Sequence, residues 1–376
     1  MTGGRLLLWL IMAGLGWASG PLCLLAGEGR ENWKTEWEKT LKAARTEGEV
    51  AVFGEPTLEN ERAIREFQKA HPEIQLKLSP IGAGNFAQRV LAERRAGKYL
   101  ADVFSGGSTS PSQLLAPAKV LDPIRSAMIL PEVIDESLWF RRKFHFADPE
   151  EQHVLLNDGT VTTDFIVYNK KVVRPEEFRS HWDLLNPAWK GKIVAYDPRL
   201  PGGASSQMRF LYYNPKLGPK FISQLFGQMD VTLSANRRQV MDWVATGKFP
   251  LGLFVGRELD TAKQQGLPVD ELIIKAEGAM LGSGAGSIML INRAPHPNAA
   301  RVFINWFLSR DGQTAWQKMT DRNSLRKDIP KDYLTDWKER VPQEDGHYIF
   351  TNLADYQDLL PGRRLVNEAL QRAGKR

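Results

Sequence analysis

Few residues in this 376-residue chain are arranged to do covalent chemistry. The six histidines, at 71, 145, 153, 181, 296 and 347, are scattered, and no two share the spacing that puts metal ligands on one helix face. His145 and His153 flank Asp148, Glu150 and Glu151, but the stretch is polar and turn-like, so it reads as a surface loop rather than a metal centre. Glu150-Glu151 and Glu176-Glu177 are neighbours in sequence, as solvated acids are, rather than a spaced acid–base pair. Nucleophile-elbow, phosphate-loop and dinucleotide patterns are absent from the places their context requires. The expectation is a protein with no catalytic residues, no metal and no cofactor.

What the chain does offer is strand ends that run into side-chain-poor turns. After the apolar run Ile193–Ala195 come Asp197-Pro198-Arg199 and then Pro201-Gly202-Gly203-Ala204-Ser205-Ser206, leading into a helix over Gln207–Tyr213. Such a turn leaves free N–H groups at the positive end of a helix dipole, which suits an anion. Gly54-Glu55-Pro56-Thr57 and Ser105-Gly106-Gly107-Ser108-Thr109 are built alike. Arg199 and Arg257, each following a strand, could add bidentate cationic donors. Glu55, Glu59 and Glu61 crowd the first helix start and weaken it for anions, while a cleft-facing Glu55 could receive an amine or sugar hydroxyls.

The elements that would position these residues follow from apolar spacing. Trp33, Trp37, Leu41 and Ala44 predict a helix over 31–47 ended by Gly48. Strands are predicted at Val50–Phe53, Ile74–Leu78 and Asp102–Phe104, alternating with helices at Leu58–Ala70, capped by Thr57, and around Phe86–Leu91. Ser110 with Pro111 predicts a further capped helix start. This rhythm implies a parallel sheet whose ligands bind at the strands' carboxyl ends. Residues 117–160 read as irregular outer surface. Beyond a crossing at 162–167, with a strand over Phe165–Val167, short helical pieces fill 174–191; helices at Phe221–Phe226 and Val240–Val244 come after them, the latter capped by Ser234. Strand Phe249–Val255 leads into helix Leu259–Gln265. A second crossing falls at 272–280, and Gly-rich 278–291 suits a bend between halves or close approach to a ligand. Two helices are predicted over 297–319.

Length favours two lobes, and 42% hydrophobic with 25% charged residues is ordinary globular composition. Residues 1–26, with Arg5 and an apolar segment from Leu6, read as a secretory signal, with an N-terminal membrane anchor as the alternative. Cys23, the single cysteine, would leave with that signal, so neither a disulfide nor a thiolate site is expected. Formal charge falls from +6 to +5 on its removal, too little and too dispersed to imply nucleic acid.

The order VYN-K, P-x-x-F and W-D-L-L-N-P-x-W-K-G-K-I, within residues 167–193 and most specific from Trp182 to Ile193, resembles the extracellular solute-binding proteins of ABC importers, in the subgroup with the ferric-ion binders. The likeness runs from about residue 35 to the end. It implies an α/β fold of the two-lobed type II periplasmic binding class, each lobe a mixed, mostly parallel sheet flanked by helices. Lobe 1 would take residues 35–165 with 277–326, and lobe 2 residues 166–276 with 327–376. The implied protein is a periplasmic monomer that closes on a small anionic organic solute (a phosphonate, phosphorylated compound or carboxylate) and delivers it to an inner-membrane permease. Its expected ligand residues are Glu55, Pro56, Thr57, Ser105, Gly106, Gly107 and Ser108 on one side. On the other they are Tyr168, Arg199, Gly202, Gly203, Ala204, Ser205, Arg257 and Glu258. Ferric-ion relatives present two adjacent tyrosines after the strand equivalent to Phe249–Val255, where this chain has Gly256 and Arg257. Iron held by Tyr168, Glu258 or Tyr212 is one alternative; an envelope enzyme on the same fold is another.

Overall fold

The structure, a computed structural model, describes residues 25–162, 166–200, 204–256 and 258–375. Residues 1–24 of the signal or anchor segment, Phe165, Gly202, Gly203 and Arg257 lie outside the described residues, as does the Ser205 side chain. Among the described residues no helix is long and apolar enough to cross a membrane.

In chain order the strands are β1 (Glu49–Gly54), β2 (Gln75–Pro80), β3 (Val103–Gly106), β4 (Leu121–Asp122) and β5 (His145–Phe146). Then come β6 (Leu155–Leu156), β7 (Thr160–Thr162), β8 (Ile166–Asn169), β9 (Ile193–Tyr196) and β10 (Thr232–Ser234). The last five are β11 (Leu251–Leu253), β12 (Val269–Glu271), β13 (Ala279–Gly282), β14 (Ser287–Ile291) and β15 (Tyr348–Phe350). The helices that matter below are α1 (Leu25–Glu47), α2 (Leu58–Arg65), α3 (Ala83–Arg95), α4 (Ala204–Tyr213) and α5 (Gly218–Gln228). They continue with α6 (Arg237–Ala245), α7 (Glu258–Gln264), α8 (Pro297–Leu308), α9 (Arg310–Thr320) and α10 (Leu360–Arg372).

One sheet runs β2-β1-β3-β14-β6-β5, with β4 also on β14; β1, β2 and β3 are parallel and β14 antiparallel to β3. Its core includes Val50, Val52, Phe86, Phe104, Phe303 and Trp316, with Phe86 stacked on Phe104 at 4.3 Å between centroids. The α1 stripe supplies Ala44, with Trp37 and Leu41 packed beside it, and Gly48 at φ 78° ends the helix as the left-handed residue after it. A second sheet, β10-β9-β11-β8-β12, has parallel β10, β9 and β11, with β8 antiparallel to β11 and β12 antiparallel to β8. Alternation along β9 sends Ile193 and Ala195 into a core with Phe210, Phe221, Val366 and Leu370, and Val194 into another with Val167, Val240 and Val244. Helices therefore cover both faces, the parallel-sheet solution for short apolar strands. The C-terminal α10 packs on α5. A three-stranded ribbon, β15-β13-β7, lies apart from both sheets; Leu281 and Phe350 of it belong to the first core, Met280 and Ile349 to the second.

Local expectations needed several corrections. The helix expected over 58–70 breaks at Glu66 into two pieces. Ser110 does not cap: it has helical φ/ψ and runs straight into a five-residue π-type turn, Pro111–Leu115. Ser234 ends β10, and Asn236 is the cap of α6, accepting from the Gln239 N–H. Strand β11 stops at Leu253 because Phe254 turns at φ 65°. Residues 117–160 are not only outer surface, since β5 and β6 extend the first sheet and bury Phe146, Leu155 and Leu156. The segment from Arg174 to Gly191 forms three 3₁₀ turns, as its turn residues predict, and feeds β9.

A charged hollow at the strand ends

Parallel pairing brings the carboxyl ends of β1, β2 and β3 side by side, Gly54 opposite both Pro80 and Ser105. Each end turns at once toward a helical segment. Thr57 caps α2 by accepting the Asn60 N–H at 3.3 Å, while Gly82, with no side chain to offer, precedes α3 without a side-chain cap. The first turn of α3 carries no acid of its own, so its free N–H groups and dipole are open to a negative group from outside the helix.

Around these ends lies a hollow of about 540 Å³. Glu55, Thr57 and Gly107 lie on one side of the lining, the first turn of α3 (Gly82–Asn85) on another, and Gly284, Ala285 and Arg322 complete it. The Glu55 carboxylate reaches among all three loops: Oε2 accepts the Gly107 N–H at 3.4 Å, and a Cβ on Gly82 would stand 3.6 Å from Oε1.

The Gly-rich stretch at 282–286 serves this hollow. The Arg322 guanidinium rests against Gly284 and the Asp158 carboxyl against Gly286, and a Cβ at either glycine would overlap them. Asp158 is fully buried. Burial pushes its carboxyl above the ordinary range, against the pull of Arg322. Arg322 comes after the left-handed Asp321, whose carboxylate is taken by Arg340 at 2.8 Å.

The expected first-lobe residues divide by geometry. Glu55, Thr57 and Gly107 line the hollow, and Pro56 is exposed beside it. Ser105 and Ser108 do not line it: both are buried, and Ser108 Oγ accepts from Asn352 Nδ2 at 3.1 Å. At Gly106 a Cβ would strike the Phe104 ring at 2.6 Å, so that glycine answers to packing.

On the second sheet, Arg199 is spent locally. Its guanidinium grips Asp197 at 2.7–3.1 Å and reaches Asn367 of α10 at 3.1 Å. Against burial, that grip holds Asp197 below the usual carboxylate range. Ala204 is buried in the core at the start of α4. Glu258 begins α7 and lines a small hollow between α6 and α7 with Arg238. Tyr168 is a correction: it pairs with Leu251 at the start of β11, the end opposite the carboxyl rim, and packs in the core. Tyr212 packs edge-to-face on Tyr213 and lies beside Gly362 of α10; it and Tyr168 both serve one apolar core, while Glu258 lines the hollow between α6 and α7.

His145 is buried, its Nε2 against the Phe140 carbonyl at 3.1 Å, and burial lowers its pKa to about 4. Asp148, Glu150 and His153 do cluster within 4.8 Å, but Asp148 already accepts the N–H groups of Gln152, His153 and Val154. Sequence reasoning missed Arg322 and the Gly82–Asn85 turn; the second was signalled by Pro80-Ile81-Gly82-Ala83-Gly84 after an apolar strand.

Two mixed sheets joined by a strand ribbon, with a polar hollow at parallel strand ends, define a periplasmic-binding-protein fold. Residues 55–314 match the model of the bacterial extracellular solute-binding protein family, and the chain belongs to that family. A Haemophilus influenzae protein is 24% identical over 249 residues, 63% of this chain and 66% of that protein's length, so the match spans just under two thirds of it. Among solved structures, the periplasmic binding protein AfuA from Actinobacillus pleuropneumoniae, with fructose-6-phosphate bound, is similar at TM-score 0.54 and 17% identity, covering 87% of this chain and 99% of that one. Iron-bound HitA from Pseudomonas aeruginosa is similar at 0.52 and 18%, covering 87% and 98%. Trichodesmium FutA, in complex with iron and citrate, is similar at 0.61 and 17%, covering 88% and 100%.

Proposed function

We propose that this chain is the substrate-binding component of an ABC-type importer, working as a monomer in the periplasm and passing a small anionic organic solute to an inner-membrane permease. The lobes would be built on the two sheets, residues 35–165 with 277–326 and 166–276 with 327–376, and the ribbon would be the hinge. The observation that carries this reading is the hollow itself. Three parallel strand ends, an uncapped helix start, a carboxylate and a guanidinium converge there, and its lining contains no histidine, cysteine or serine nucleophile. Such a set recognises polar groups by hydrogen bonds and charge and needs no bond broken. The loop 202–205 and Arg257 would close on the solute from the second sheet.

Thermal denaturation across a panel of phosphorylated compounds, phosphonates and carboxylates tests this. A solute at a hundredfold excess over its Kd adds about 2.7 kcal/mol to stability. That should raise the melting temperature by about 2–4 °C in a protein of this size. A chain that responds to ferric ion and to no organic anion would favour the iron reading; turnover of a panel compound would favour the enzyme.

A further inference from the structure

The hollow holds two opposite charges that do not meet. Glu55 and Arg322 both line it, yet no ion pair joins them, and among the described residues the Arg322 guanidinium has neither a hydrogen bond nor an ion pair. Of the acids beside it, Asp321 is held by Arg340, and Asp158, buried against the other glycine of the loop, feels the Arg322 charge without forming an ion pair with it.

The backbone beneath Arg322 is pinned. Asn323 donates from its backbone to Thr160 Oγ1 at 3.3 Å and from its side chain to the Gly159 carbonyl at 2.8 Å. Ser324 is gripped by Gln313 at 2.6 Å and Gln317 at 3.0 Å. A guanidinium on a fixed backbone, laid against a glycine and lining an open hollow, loses little freedom when an anion docks on it.

We propose that Arg322 is a solute-binding residue that fixes the substrate class. The end of the solute that enters this hollow carries an acidic group for Arg322 and the first turn of α3, with a hydrogen-bond donor beside it, a hydroxyl or an ammonium, for Glu55. Neutral sugars and plain carboxylates each satisfy only one of the two charges and leave the other desolvated. Sugar phosphates and amino acids satisfy both. The inference rests on the solute-binding reading above and narrows it.

The test uses the full chain and four probes in thermal-shift and calorimetric titration. Fructose 6-phosphate supplies acid and hydroxyls, alanine supplies acid and ammonium, and fructose and propionate each lack one partner. The wild-type protein should respond to fructose 6-phosphate or to alanine, and which of the two tells hydroxyl from ammonium. It should not respond to fructose or propionate. Arg322→Gln should weaken the productive probe about tenfold or more, Arg322→Lys less, and Glu55→Gln should do so as well. Unliganded melting of each variant separates binding from folding: Arg322 gives up a charge interaction with the buried Asp158, which Arg322→Lys keeps, so Arg322→Lys should melt with the wild type while still binding the productive probe less well.

Equal binding of the productive probe by wild type and Arg322→Gln would overturn the assignment and leave solute binding standing. No response of the wild type to either fructose 6-phosphate or alanine would overturn the substrate class. Only silence across the wider panel of anions would also remove the broader reading.

Discussion

Arg199 and Arg322 carry the same guanidinium and meet opposite fates. Arg199 comes after a strand, the place where sequence reasoning looks for ligand-binding cations, but Asp197 two residues earlier satisfies it. Arg322 sits between a helix end and a bridge to Asp158, and nothing in local sequence shows that it reaches a hollow formed largely by strand-end loops more than two hundred residues earlier. Charge compensation at short range is legible in sequence; convergence at long range is not.

The buried titratable groups give predictions at the same scale. His145 stays neutral when folded, with its pKa at about 4 instead of 6.5. The unfolded chain binds a proton below about 6.5 that the folded chain refuses, so stability is full above that pH and declines toward pH 4, by about 3 kcal/mol at most. His145→Phe should flatten that limb in urea midpoints taken across the range; an unchanged slope would remove His145 as its cause. Glu277 behaves differently. Although burial opposes ionisation, hydrogen bonds from His181 Nδ1 at 2.6 Å, Ser180 Oγ at 2.5 Å and the His181 N–H hold its carboxyl to about 2. Its contribution is present above the unfolded carboxyl range and disappears as pH falls from about 4.5 to 2. Glu277→Ala, which leaves these donors buried and unmet, should cost about 3–5 kcal/mol in equilibrium unfolding.

Among the elements, the glycines separate function from packing. At Gly284 an added methyl meets the far end of the flexible Arg322 side chain, which can move aside. Gly284→Ala should leave unfolding within about 0.5 kcal/mol of wild type while weakening solute binding, because it unseats the guanidinium. At Gly312 the methyl meets backbone, the Trp306 carbonyl and Phe307, which cannot yield cheaply. Gly312→Ala should cost about 2–3 kcal/mol in denaturant unfolding. Comparable stability losses for the two would contradict the placement of Arg322. The strand–helix rhythm of β1 to β3 was legible because apolar period and turn residues agree there. The third ribbon strand was not: Tyr348–Phe350 pairs with β13 from about seventy residues away, a parallel contact that no local pattern encodes. Ser110 and Ser234 misled because a serine at a plausible cap position competes with backbone turns that set the real start elsewhere.

For the whole molecule, the ribbon shares its apolar residues between the core of the first sheet and one of the two cores of the second, and under the proposed function it is the place for a hinge. The W-D-L-L-N-P-x-W-K-G-K-I string that points to the family is itself structural. Trp182 packs edge-to-face on Phe221 and donates from Nε1 to the Lys216 carbonyl, and the string's last residues enter β9. It announces the fold and says nothing of the ligand, which is why the architecture could be read early and the solute could not. The hollow, in contrast, speaks to chemistry through Glu55 and Arg322. Native mass spectrometry of the protein as isolated tests this most directly. The account predicts a one-to-one noncovalent complex with an organic molecule bearing an acidic group and a hydroxyl or amine, lost in the Arg322→Gln protein. A chain that carries iron and no organic acid, or that holds the same molecule equally well without Arg322, would contradict it.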